Sequence, residues 1–209
     1  MARVSQEHLD ARRRQILDGA ARCFARDGFH GTSMQDVLKE VGLSAGAVYR
    51  YFTGKDDLIA AIAGEAVAGV RQAFERASQV EPPPTPDVLI GRVVRTLFAE
   101  GVDGGRGLDR RAYAGLIVQV WSEALRSDRL AATLIEAYEG LRTSWSELVR
   151  VYRERGVLTA DVPDERVART LIAAAQGFII QMAMFGDPGP ETMEDGLRGL
   201  MSMNMQKIS

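Results

Sequence analysis

Cysteine is nearly absent from this chain. The single thiol, Cys23, cannot close an internal disulfide, and such usage fits a reducing compartment. Histidine is almost as scarce: His8 and His30 both stand near the amino end, so no His or Cys pair has zinc-ligand spacing and no histidine is available to a site farther along the chain. No apolar run approaches the length needed to span a bilayer, and the opening stretch MARVSQEHLDARRRQ lacks the apolar segment of a secretion signal. A cytoplasmic protein with no membrane partner and no cofactor is therefore expected. Strand-like alternation of apolar and polar residues is missing as well, which leaves an all-α fold. With 209 residues, 46% of them hydrophobic, the chain can bury a core without covalent staples.

Proline is confined. Of the seven prolines, four (Pro82, Pro83, Pro84 and Pro86) fall together and make any helix across them impossible. Around this break the 3.6-residue periodicity gives about nine helices. After a loose arm over residues 1–8, helices are expected over 9–27 (ended by Gly28, with Phe29 folding back), 32–41, 45–52, 55–80, 87–102, 108–125, 128–155, 163–185 and 191–205. The turn carrying Gly104, Gly105 and Gly107 has no preceding strand and no Lys-Ser/Thr ending, so it is a plain loop rather than a phosphate cradle. Cys23, on the inner side of the first helix, is a small core hydrophobe.

Residues Gly31 to Leu58, GTSMQDVLKEVGLSAGAVYRYFTGKDDL, fit two short helices with a tight turn. Thr32 with Gln35, or Ser33 with Asp36, can form a capping box. Met34, Val37, Leu38 and Val41 then make one narrow face, and Gly42 supplies a left-handed C-cap. Ser44 caps the second helix, on which Val48 and Phe52 face inward. Ala45, Gly46, Ala47, Tyr49, Arg50 and Tyr51 are left mostly outside, a surface of small residues, tyrosines and arginine that suits a DNA groove better than bulk water. This is a helix-turn-helix with the second helix as reader. Tyr49 and Arg50 are expected on bases; Thr32, Ser33, Tyr51 and Lys55 on phosphates, with Ser44, Ala45, Gly46 and Ala47 along the contact face.

Here the sequence resembles the TetR family of transcriptional repressors, with Thr32, Val37, Gly42, Leu43, Ser44, Gly46, Val48, Tyr49, Tyr51, Phe52, Lys55, Asp56 and Leu58 in register. It departs at Ala45, where the family often carries a long polar or basic side chain, and at Leu38 and Gly54. The resemblance implies a DNA-binding domain over 1–54 and a ligand-binding and dimerisation domain over 55–209, joined by helix 4. The charges agree: residues 1–55 hold nine Lys and Arg against six Asp and Glu, leaving seventeen against twenty-two in the rest, a basic head on an acidic body.

In the body, Tyr113, Ile117, Trp121, Tyr138, Trp145, Phe178 and Met182 are large amphipathic or apolar residues. Each can be ordinary bundle core; together, because Trp and Tyr need polar partners and Met adapts to variable shapes, they suit a pocket between helices. The resemblance implies an effector site there, adding Phe74 and Phe98 to its walls, for a small apolar or aromatic molecule. Glu100, Glu123, Arg110 or Arg142 could hold a polar end. The resemblance also implies a homodimer through the last two helices, where Leu171, Ala174, Ala175 and Phe178 face Met193, Leu197, Leu200 and Met201. The expected function is a regulator released from a palindromic double-stranded operator by its ligand. Two other readings remain open: a constitutive DNA-binding activator or architectural factor, and an enzyme using carboxylates of the body. The second has only scattered acids in its favour, so no catalytic residue or metal ligand is assigned.

Overall fold

The computed structural model describes residues 6–98, 107–186 and 189–203. Among these are nine helices and no strand: α1 (Gln6–Gly31), α2 (Met34–Val41), α3 (Ala45–Tyr49), α4 (Lys55–Ser78), α5 (Pro86–Phe98), α6 (Arg110–Ala124), α7 (Asp128–Glu154), α8 (Asp164–Phe185) and α9 (Pro190–Met201). The expected helices are all present. The differences lie at their ends. The arm is shorter than expected, since Gln6, Glu7 and His8 already belong to α1. That helix kinks at Gly28 (φ 77°, ψ 165°) and takes one further turn to Gly31, which seats Phe29 edge-on against Phe24 at 5.0 Å. α3 stops at Tyr49, because the amides of Tyr51 and Phe52 both turn back to the Val48 carbonyl. The expected turn at Gly104 and Gly105, the residues Glu100, Asp187 and Pro188, and the end of the last helix near Met205 lie outside the described residues.

Two hydrophobic clusters organise the chain. In the first, Ile16, Leu17, Ala20, Cys23 and Phe24 of α1 meet Val37 and Val41 of α2, Val48 of α3 and Leu58, Ile59 and Ile62 of α4. The cluster does not close on the head alone, for Leu116 and Val120 of α6 and Leu130 of α7 complete it. α1 and α2 approach closely: a Cβ on Gly19 would stand 2.3 Å from Val41 Cγ1, so only glycine fits there. Arg22 and Glu40 tie the same pair of helices at 2.7 Å.

The second cluster fills the larger bundle with residues of α4 to α9. α6 and α7 pack on α8, and α5 packs on α9. The α5–α9 contact is sealed by charge. Asp87, only 3% exposed, accepts from Arg198 Nε at 3.0 Å, while Arg95 and Arg198 both hold Glu194. Burial, the largest single influence, pushes the Asp87 carboxyl up, but hydrogen bonds from the Thr85 hydroxyl, the Val88 amide and Arg198 together hold it below its ordinary range. α4 is continuous through both clusters, giving Leu58, Ile59 and Ile62 to one and Phe74 to the other.

One expectation needs correction. α8 is long and apolar enough, by length and composition, to cross a bilayer, with a mean hydropathy of 1.4 over its best window. Its inner side is accounted for without a membrane: Ala168, Leu171, Ile172, Phe178, Ile179 and Met182 belong to the second cluster.

Candidate nucleic-acid interface

The first helix of the reading unit is fixed by the capping box anticipated at Ser33. The Asp36 amide donates to Ser33 Oγ at 3.3 Å, and Asp36 Oδ2 accepts from the Ser33 amide at 2.9 Å and its hydroxyl at 2.6 Å. These bonds, the hydroxyl first, hold the Asp36 carboxyl below its ordinary range. At the other end Gly42 takes φ 65° and ψ 31°, and its amide closes on the Leu38 carbonyl at 3.1 Å. A left-handed residue at that point ends α2 and turns the chain, which is why glycine stands there. Gln15 of α1 donates to the freed Val41 carbonyl at 3.1 Å. Ser44 then caps α3, accepting from the Ala47 amide at 3.4 Å.

α3 is anchored by one fully buried side chain, Val48, and by Phe52 just beyond it. On its other faces Ser44, Ala45, Gly46 and Arg50 are exposed, Ala47 is half-buried, and Tyr49 is 47% exposed. Tyr51 is half-buried against the first cluster. The helix thus presents a low surface of small residues from which a tyrosine and an arginine project, a shape that admits close approach to a groove.

Two residues expected on phosphates are committed inward. Thr32 is 2% exposed, and its hydroxyl donates to the carbonyls of Gly28 at 2.8 Å and Cys23 at 3.3 Å. It fastens the α1 kink rather than capping α2. The Lys55 ammonium donates to the carbonyls of Phe29 at 2.9 Å and Thr32 at 3.3 Å, tying the start of α4 to the α1–α2 turn. A side chain so used carries its charge near the head surface but spends two of its three donors on the fold.

Sequence reasoning missed the contacts that join this head to the body. Asp57, in the first turn of α4, accepts from the Thr53 amide and hydroxyl and from Arg129 of α7. Gln119 of α6 donates to the Phe24 carbonyl at 3.3 Å, and Glu123 stands 3.2 Å from His30. Spacing in the sequence cannot reveal such pairs, because their members lie tens of residues apart.

In the body, all nine expected pocket residues join the second cluster. Phe74, Phe98, Tyr113, Trp145, Phe178 and Met182 are buried in it, and Ile117, Trp121 and Tyr138 are partly buried against it. Phe74 meets Trp145 at 5.0 Å and Phe98 meets Tyr113 at 5.7 Å, so these rings satisfy one another. The expected dimer residues divide. Leu171, Phe178, Met193 and Leu197 are spent on the protomer's own core, and Ala174 and Ala175 are half-buried beside it. Leu200 and Met201 are exposed, and with them Ile180, Met184, Phe185 and Met203, which were not among the residues expected at the dimer interface. Among the described residues no group of three or more His, Cys, Asp or Glu could hold a metal ion.

A helix-turn-helix with an exposed reader, set on a larger helical bundle, defines the DNA-binding transcriptional regulators. Residues 16–62 match the family model of bacterial regulatory proteins of the tetR family, and residues 93–201 match that of the BetI-type transcriptional repressor C-terminal region. The chain belongs to the TetR family. It is 48% identical over 65 residues to the HTH-type transcriptional repressor Rv1474c of Mycobacterium tuberculosis, a match covering 31% of this chain and 35% of that protein. Over 185 residues it is 28% identical to the HTH-type transcriptional repressor AcnR of Corynebacterium diphtheriae, covering 88% of this chain and 87% of the relative. Among solved structures it is similar to Salmonella enterica GusR, at 25% identity and a TM-score of 0.71, over 97% of this chain and all of that one.

Proposed function

We propose that this protein is a homodimeric repressor that binds a palindromic operator and leaves it when a small apolar or aromatic molecule enters the body. The observation that carries the DNA half is the outward face of α3, with Ala45, Gly46, Ala47, Tyr49 and Arg50 over a single buried anchor. Tyr49 and Arg50 read bases, Arg50 through a bidentate contact of the kind that selects guanine. Ser33, Ser44 and Tyr51 meet phosphates. Thr32 and Lys55 hold the unit in shape. Residues 1–54 form the DNA-binding part and 55–209 the effector and dimer part, in a cytoplasmic protein.

The dimer half rests on large apolar side chains that α8 and α9 each leave exposed, Phe185 at 78% with Met184 on the one and Leu200 at 66% with Met201 on the other. Surfaces of that kind are rarely left to water. A twofold copy placed there sets two readers on successive major-groove faces. α4, running unbroken from the Thr53–Asp57 turn into the bundle, is the lever. For the switch to be complete, ligand must favour the released state by about 5.5 kcal/mol.

A second reading draws on the packing of the body. Phe74 on Trp145 and Phe98 on Tyr113 pair four of the nine expected pocket residues with one another, as in the core of a constitutive DNA-binding factor. One experiment addresses both readings. The purified protein is used to select DNA from a random-sequence pool at moderate salt, where nonspecific binding is suppressed. Enrichment of one inverted repeat is expected, with Arg50→Ala relaxing preference at one position in each half-site. No enrichment by a folded dimer removes the operator reading. The selected probe then serves to screen small apolar and aromatic compounds for release, and failure of every class leaves the constitutive reading standing.

A further inference from the structure

Behind the reading helix the chain makes a turn, Thr53–Gly54, before α4 begins. The Gly54 cap has no side chain to offer, so the turn is closed from inside α4: Asp57 Oδ2 accepts from the Thr53 amide at 3.0 Å and from its hydroxyl. The same carboxylate uses its other oxygen differently. Oδ1 accepts from Arg129 Nη1 at 3.1 Å, and Arg129 lies in the first turn of α7, 72 residues away. One carboxylate therefore grips the turn that follows the reader with one oxygen and the body with the other. Beside it opens a cleft of about 410 Å³, lined by Arg13, Tyr51, Phe52, Asp57, Arg129 and Thr133 among others, so the bridge runs along the edge of a gap rather than through packed core. Across that gap the bridge is a direct tie between the Thr53 turn and α7.

We infer that Asp57 and Arg129 are positioning residues for DNA binding: their bridge holds the end of the reading helix in fixed relation to α7, without touching DNA. This rests on α3 being the DNA reader. A reader held before it meets the groove loses less freedom on binding, and that is where the affinity comes from. The bridge itself is exposed, Arg129 being 73% accessible, so its removal is not expected to melt the protein.

Electrostatics gives the test a sign. Asp57 is a negative charge bordering the DNA-binding head; if it mattered only as a charge, Asp57→Asn would tighten binding to polyanionic DNA. As a positioning residue, Asp57→Asn weakens it. The experiment measures binding of the full-length wild type, Asp57→Asn, Arg129→Ala, Arg129→Lys and the Asp57→Asn/Arg129→Ala double variant to the operator selected as above and to a scrambled duplex, across a salt series. Both single losses are expected to weaken operator binding about fivefold, the size of a surface ion pair, with the double variant no worse and Arg129→Lys restored to near wild type. The slope of log K against log salt should stay unchanged. A fall in slope of about one on Arg129→Ala makes Arg129 a phosphate contact and overturns the inference. So does tighter binding by Asp57→Asn, or equal binding by all five proteins. If wild type itself does not distinguish operator from scrambled duplex, the reader assignment has failed, and that outcome is separate from the others.

Discussion

The two hydrophobic clusters are built by different means. The one around α1, α2 and α3 is mainly aliphatic, with a single ring pair at Phe24 and Phe29, and its short helices are closed by polar groups from within a few residues: Ser33 with Asp36, Ser44 with the Ala47 amide, Gly42 with Leu38. The other pairs aromatic rings from distant parts of the chain, Phe74 with Trp145, and locks α5 to α9 through a buried carboxylate more than a hundred residues from its arginine. Local closure makes a small unit whose outer face is free for contact. Long-range closure makes a rigid bundle in which the same residue types serve packing first.

The largest effect expected is on whether these regions unfold together. Phe24→Ala removes a ring with no exposed surface and should cost about 3–5 kcal/mol. Because Leu116, Val120 and Leu130 of the bundle complete the cluster around Phe24, the loss should lower a single melting transition for the whole protein. Both tryptophans, Trp121 and Trp145, belong to the second cluster, so their fluorescence reports the bundle while circular dichroism reports every helix. Coincident transitions by the two probes are expected. Helicity lost ahead of tryptophan fluorescence would show that the head melts alone and that the shared core does not couple the two regions.

Next in size is the charge latch of the bundle. Asp87→Ala removes a buried acceptor from Arg198, which is half exposed and still held by Glu194 and Asp195, so it should cost about 2 kcal/mol by chemical denaturation, the worth of a hydrogen bond between charged groups. The sign with pH follows from the depressed carboxyl: the latch stabilises the fold above the ordinary carboxylate range and is lost as pH falls through the still lower native value. Wild type should therefore lose stability on acidification below about pH 4 more steeply than the variant. Identical acid profiles would mean that the α5–α9 seam is held by packing, with Gly91 against Glu194, and not by charge.

The same contrast explains what the sequence could disclose. Helix-turn-helix geometry was legible because it is set by neighbours: a Ser–Asp box three residues wide, a left-handed glycine, a serine cap and one inward valine. The nine helices were legible from periodicity and from the proline break. The inward hydrogen bonds of Thr32 and Lys55 were not, because each depends on which carbonyls the α1 kink and the turn after it leave open. Nor could periodicity tell which side of α8 and α9 faces the protomer. Met193 and Leu197 share a stripe with Leu200 and Met201, yet the first two are buried by α5 and the others are left exposed. A helix expected from residue 55 puts Asp57 in its first turn, as found, while its partner Arg129 lies too far along the chain for spacing to find.

The smallest effect tests local closure directly. Ser33→Ala removes an exposed hydroxyl and touches no core, so it should cost only about 1 kcal/mol, the usual worth of an N-cap. The box is reciprocal, however, and the hydroxyl is the largest influence holding the Asp36 carboxyl low. With it gone, the Asp36 carboxyl, followed by NMR titration, should rise toward its ordinary value, keeping the pull of the residue 33 amide and the weaker pulls of Arg26 and Lys39. The folded Asp36 is depressed in wild type, so the box stabilises α2 above the ordinary carboxylate range and fades on acidification; the variant should lack most of that dependence. If the Asp36 titration does not move, its depression comes from the charges of Arg26 and Lys39 instead, and α2 is held to α1 by long-range contacts in the manner of the bundle rather than by its own cap.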